Sequence, residues 1–194
     1  MKDLTTSVLI LIVFTLLLGA GYPFAVWTVA QIAFPHQANG SLIERDGRIV
    51  GSELIGQTFS SIDSFHSRPS AAGNGYDATA SGGSNLGPTS AKLIDRVNAA
   101  TERLHAENRD TLVPADLVTT SASGLDPHIS PAAAEFQVAR VARTRGIAES
   151  ELRELVMQFT EQRQLGFLGE PRINTLLLNL ELDRMKGGPG LARK

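Results

Sequence analysis

The sequence has no cysteine at all. That excludes a disulfide framework, a zinc ribbon and a thiol nucleophile. It has no basic surplus either: 18 Lys and Arg stand against 20 Asp and Glu, a formal net charge of -2. A protein binding nucleic acid through its phosphates carries the opposite balance, so no nucleic-acid partner is expected. Charge of either sign is missing from Leu4 to Ile43. Lys2 and Asp3 cancel, so the remainder of the chain carries the whole net charge. No G-x-x-x-x-G-K-[ST] run, no G-x-S-x-G elbow, no H-E-x-x-H and no D-K-T-G occurs. These gaps remove a phosphate-cradling loop, a hydrolase elbow, a zincin helix and an aspartyl-phosphate site.

What fills the charge-free stretch is apolar. Between Val8 and Phe34 only Thr15, Thr28 and Gln31 are clearly polar. A helix of that length spans ~40 Å, against a hydrocarbon core of ~30 Å. Gly19-Ala20-Gly21 imitates a signal-peptide cleavage site, but the apolar run resumes with Phe24, Ala25, Val26 and Trp27, as an uncleaved anchor would. Pro23 removes a backbone donor in mid-span and predicts a local distortion. The same three small residues would let another helix approach. Lys2 and the short leading segment favour an N-inside orientation over Arg45 and Arg48 on the other flank. The expected division is 1–6 as a cytoplasmic tail, 7–34 as the transmembrane anchor, 35–186 as an extracytoplasmic domain and 187–194 as a flexible tail.

The domain reads as α+β, with a hairpin, three to four helices and long ordered polar loops. Asp46-Gly47 between Leu42-Ile43-Glu44-Arg45 and Arg48-Ile49-Val50 signals the hairpin. Leu93, Val97, Ala100 and Leu104 mark one helix, starting near Ser90. Ser130-Pro131 opens a second, which Gly146 closes. A third covers Glu149 to Thr160, and a last one Ile173 to Met185. Asp116 to Thr120 reads as a short strand and Leu165 to Arg172 as a loop. The stretch from Ser60 to Pro88 is rich in Gly, Ser and Asn but punctuated by Phe65, Arg68 and Tyr76. Such mixed chemistry implies a loop ordered by side chain to backbone hydrogen bonds rather than a linker.

His66, Asp77, Ser81, Asp126 and His128 all lie in the two polar loops. A membrane-anchored extracytoplasmic hydrolase using loop Ser, His and Asp is therefore the alternative reading. No spacing singles out one serine or a set of metal ligands, and no metal or other cofactor is required by the residues themselves.

The loops carry a resemblance. Phe65-His66-Ser67-Arg68-Pro69-Ser70, Tyr76-Asp77-Ala78 and Ala80-Ser81-Gly82-Gly83-Ser84-Asn85-Leu86-Gly87-Pro88 look like the KdpC family. So does Ser121-Ala122-Ser123-Gly124-Leu125-Asp126-Pro127-His128-Ile129-Ser130-Pro131. Gln137, Arg140-Val141-Ala142, Arg145, Gly169-Glu170-Pro171, Asn174 and Leu178-Asn179-Leu180 also fit, so the likeness covers nearly the whole chain. That family is the small single-span subunit of the bacterial potassium-transporting Kdp ATPase. The resemblance implies a non-catalytic accessory subunit, needed for assembly and held in the inner membrane with its C-terminal domain periplasmic. The implied partners are a channel-like potassium-binding subunit, a P-type ATPase subunit and a tiny single-span subunit. It also brings ATP, because the family is described as a catalytic chaperone that raises the nucleotide affinity of the ATPase subunit, with a glutamine implicated. Gln137 is the matching residue here. An N-inside anchor puts Gln137 across the membrane from the ATP pool, and the topology takes precedence because it follows from the long anchor.

Overall fold

Residues 2–33 form one continuous apolar helical segment, long and apolar enough to cross a membrane by length and composition. In the computed structural model, which describes residues 1–109 and 111–185, this segment has three parts. They are α1 (Lys2–Leu16), a π-turn at Leu17–Gly21 and α2 (Tyr22–Ala33). The distortion expected from Pro23 takes the form of that widened turn. Proline cannot donate to the carbonyl four residues back and its ring crowds it. Here the Tyr22 N–H bonds to the Leu17 carbonyl, one residue farther than in an α-helix. The hydroxyl of Thr28 donates to the Phe24 carbonyl at 2.8 Å, folding a polar group back on the helix. Apolar side chains stand exposed around the segment, from Leu9 and Phe14 to Trp27 and Ile32. A short helix, α3 (Pro35–Ala38), lies in the expected connector.

The chain divides into two units, Met1–Ile43 and the remainder from Glu44. The division falls within the first strand of the hairpin. Strands β1 (Leu42–Arg45) and β2 (Arg48–Ser52) flank Asp46 and Gly47, both at positive φ (53° and 72°), as a two-residue hairpin turn demands. Helix α4 (Ala91–Glu107) follows the long loop; its predicted stripe is half-buried at Val97 and Ala100 and fully buried at Leu104.

Helix α5 (Pro131–Arg145) is the centre of the core, burying Phe136, Val138 and Val141. Its start is capped twice. The Ser130 hydroxyl oxygen accepts from the Ala133 N–H at 3.0 Å, and Asp116 accepts from both the N–H and the hydroxyl of Ser130. Gly146 ends it at φ 65°. Helices α6 (Glu149–Gln158) and α7 (Thr175–Met185) pack Leu152, Leu155, Leu178 and Leu182 into the same cluster, with Phe65, Ile129 and Ile173.

Two readings need correction. The strand expected at Asp116 to Thr120 is instead a 3₁₀ turn at Ala115–Leu117. The N–H groups of Leu117, Val118 and Thr119 are consumed by the nearby carbonyls of Pro114 and Ala115, and the Asp116 carboxylate by Ser130, so none is left for a neighbouring strand. A small antiparallel sheet, in order β3-β5-β4, was not expected. It comprises β3 (His128–Ile129), β4 (Thr160–Glu161) and β5 (Arg172–Asn174). Its strands are too short to show alternation. The register pairs His128 with Asn174 and Thr160 with Ile173. The expected tail, 187–194, lies outside the described residues.

Replacing Gly146 by Ala places a Cβ on a left-handed residue, at a cost of about 1 kcal/mol. The melting temperature of the full chain in mild detergent should fall by about 2–4 °C.

Candidate functional site

The two polar loops meet, and α5 and α7 form the floor beneath them. At the base, the extended residues Phe65 and His66 run between the two helices. The main-chain N–H of Phe65 donates to Asn179 Oδ1 at 2.8 Å, and its carbonyl accepts from Asn179 Nδ2 at 2.9 Å. The next residue does the same on its other side: the His66 N–H donates to Gln137 Oε1 at 2.7 Å, and its carbonyl accepts from Gln137 Nε2 at 3.2 Å. Consecutive residues of an extended chain direct their peptide groups to opposite sides. Two carboxamides, one from each helix, thus stand where neighbouring strands would. Gln137 is 2% exposed and Asn179 1%.

The Gln137 amide is filled beyond this pair. Its oxygen also accepts from Arg140 at 2.8 Å, and its nitrogen donates to the Ala133 carbonyl at 3.1 Å. Arg140 reaches the Ile62 and Ser64 carbonyls and pairs with Glu107 at 3.1 Å. Arg145 donates to the Asp63 carbonyl and to Asp183 at 2.8 Å. Two arginines from one helix, Arg140 buried and Arg145 half-buried, therefore hold residues 62–64 through their carbonyls, just ahead of the clamp.

Above the floor the loops interlock. Arg68 pairs with Asp126 at 3.1 Å. The Ser70 hydroxyl donates to the Gly124 carbonyl at 2.6 Å and accepts from the Ala72 and Tyr76 N–H groups. The Tyr76 hydroxyl donates to the Arg68 carbonyl at 2.5 Å. Ser81 and the Gly82 N–H both donate to the Ser123 carbonyl. Gly124 sits at φ 67°, and a Cβ there would lie 2.6 Å from the Gly82 carbonyl oxygen and 2.7 Å from the Ala72 nitrogen. Gly83 backs onto the Ala122 carbonyl. Asp126 also accepts from the His128 N–H at 3.0 Å and lies 3.3 Å from its Nδ1, while the Pro127 carbonyl accepts from Thr175.

Other motif residues lie outside this interlock. Asp77 closes its own turn, accepting from the N–H and hydroxyl of Thr79. Ser84, Asn85, Gly87 and Pro88 lead towards α4, with the Gly87 carbonyl accepting from Ser90. Pro69, Arg68, Asn74, Tyr76, Arg103 and Gln137 help line an open cleft of about 520 Å³.

The chemistry expected of a hydrolase is not assembled among the described residues. The His66 ring is tied to the Ser61 carbonyl at 2.9 Å, and His128 to Asp126; neither imidazole bonds a hydroxyl. No group of three or more His, Cys, Asp or Glu that could hold a metal occurs among the described residues. The His66 pKa is lowered by burial first and by the charge of Arg140 second. For Asp126, burial acts to raise the pKa, but the hydrogen bonds from His128 and the charge of Arg68 outweigh it and hold it below 3.8.

Asn179, Ser70, Arg140 and Arg145 carry this site without a role having been expected for them. One signal was present: Asn179 interrupts a run of leucines and therefore sits on a buried face.

These features define a class: an α+β domain behind one apolar helix, with two polar loops locked into a single surface. The chain matches the family model KdpC, described as K+-transporting ATPase, c chain, over residues 4–184. It is 58% identical to the potassium-transporting ATPase KdpC subunit of Koribacter versatilis (strain Ellin345), across 94% of each chain. It is 55% identical to that of Acidobacterium capsulatum over 95% of this chain and 100% of the relative. For Rhodopseudomonas palustris (strain BisB18) the identity is 50%, over 96% and 100%. The chain belongs to the KdpC family.

Asn179→Ala strips two buried peptide groups of their partners and should cost about 2–4 kcal/mol in thermal or denaturant unfolding. The His66 shift adds a pH effect. Because its folded pKa lies below 6.5, the unfolded chain binds more protons as pH falls through 6.5. The stability tied to a neutral His66 is complete above that pH and lost below it. The melting temperature should drop between pH 7.5 and 5.5, and drop less in His66→Gln.

Proposed function

We propose that this protein is an accessory, non-catalytic subunit of an ATP-driven potassium uptake complex. The apolar helix anchors it in the bacterial inner membrane with the N-terminus cytoplasmic and the domain from residue 35 onward periplasmic. Its partners are a channel-like potassium-binding subunit, a P-type ATPase subunit and a tiny single-span subunit. The observation that carries this reading is the state of the signature residues. Arg68, Ser70, Tyr76, Ser81, Ser123 and Asp126 are spent on one another or on loop backbone. A catalytic constellation needs a nucleophile and base left in reach of a substrate; a docking surface needs a rigid shape.

Gln137 fits the same role. A direct contact with ATP would require its amide to release His66 or Arg140. The rise in nucleotide affinity associated with this family would then come from docking to the ATPase subunit, with Gln137 as the residue that shapes the docked loop.

A tagged chain extracted in mild detergent should bring larger membrane subunits with it, and protease added outside spheroplasts should digest the domain. Recovery of the chain alone would sink the subunit reading, and protection of the C-terminal domain would reverse the orientation. His66→Ala and His128→Ala should leave no lost turnover in the isolated chain; abolition of an intrinsic hydrolytic activity would favour the hydrolase.

A further inference from the structure

Between β4 and β5 the chain makes a tight, closed turn that serves neither the core nor the loop surface. Gln164 and Leu168 exchange both main-chain hydrogen bonds, each 2.9 Å. The Gly166 N–H returns to the Arg163 carbonyl, and the Phe167 N–H to the Gln164 carbonyl. At the base, Arg163 pairs with Glu170 and Arg172 with Glu161. The turn is ordered, and its tip is apolar: Leu165 is 83% exposed, Phe167 70% and Leu168 48%.

Leu165 is doubly misplaced for a free surface. It has φ 52°, a left-handed conformation that L side chains with a bulky Cβ substituent avoid. Tyr76 also has a positive φ, but its hydroxyl bonds the Arg68 carbonyl and its body is packed between the loops. Leu165 has an unfavourable backbone and an unburied side chain at once. Gly or Asn would serve the turn better, so the leucine answers to something outside the chain.

We propose that the Leu165–Phe167 tip is an anchor that seats in an apolar pocket on the extracytoplasmic face of a larger membrane subunit of the same complex. This rests on the subunit reading above. The rim decides between kinds of occupant. A loop made for a bilayer surface offers unpaired Lys or Arg and interfacial Trp or Tyr. Here both rim arginines are matched by glutamates, so no unpaired cation is left to meet a lipid headgroup. A rigid aliphatic-aromatic pair inside a charge-balanced polar ring has the anatomy of a protein–protein hot spot with its surrounding seal. The pocket it fits is apolar, two side chains wide, with a rim that carries no strong charge.

The test places a photoreactive phenylalanine analogue at position 167 of the full chain, expressed with its complex in membranes. A second chain carries the analogue at Met157, an exposed position on α6. Crosslinking from 167 to a large membrane subunit, absent or much weaker from 157, is the expected result. If the chain copurifies with its complex yet 167 crosslinks only to lipid, to another copy or to nothing, the tip proposal is overturned and the subunit reading stands. If nothing copurifies, the subunit reading itself fails, and the tip proposal with it. Leu165→Asn supplies an independent readout. The melting temperature of the purified chain should hold or rise by about 2 °C, while the variant should be retained by the complex at least tenfold less well. A fall in melting temperature with undiminished retention would make Leu165 a structural residue and overturn the proposal.

Discussion

The domain depends on a pair of side-chain amides doing the work of β-strands. Phe65 and His66 lie in the interior as extended backbone with no strand beside them, and an unpaired buried peptide group costs about 1–3 kcal/mol. Asn179 and Gln137 supply donor and acceptor in the right order on the two sides. Phe65 can then be completely buried among Val138, Leu178 and their neighbours. With residues 62–66 fixed to the helices, the following residues start from a defined point. Arg68, Ser70 and Tyr76 reach the 123–126 loop from there.

This makes the polarity of the helices as important as their apolar faces. Helix α5 devotes Gln137, Arg140 and Arg145 to the loop. Gln137 and Arg140 are buried and Arg145 is half-buried, and each reaches main-chain carbonyls or N–H groups. Buried cations are tolerated because carbonyls and carboxylates surround them. The loops contribute few hydrophobic side chains, and their order comes from these hydrogen bonds and from glycines at points where backbones touch. Gly124 is one such point, wedged against the Gly82 carbonyl and the Ala72 nitrogen.

The helices were legible because their ends are written locally. Ser130-Pro131 and Gly146 gave α5 to within a residue, and Asp46-Gly47 gave the hairpin. The order of the long loop was legible from its mixed chemistry. The three-stranded sheet was not, since strands of two or three residues are defined by partners distant in sequence. The same limit hid the clamp. Gln137 was visible as a residue of interest, but its two-way exchange with His66 spans 71 positions, and that of Asn179 with Phe65 spans 114. Asp116 to Thr120 misled because β-prone residues there face a preceding proline and an aspartate committed to the next helix.

The widened turn at Leu17–Gly21 has a consequence for the apolar helix itself. Each residue added to an α-helical turn rotates everything beyond it by about 100°. Side chains spaced to form one stripe across α1 and α2 are therefore split into two stripes pointing in different directions. Within a bilayer such a helix can present one face to a neighbour in one leaflet and a different face to another neighbour in the opposite leaflet, with Gly19, Ala20 and Gly21 at the crossover.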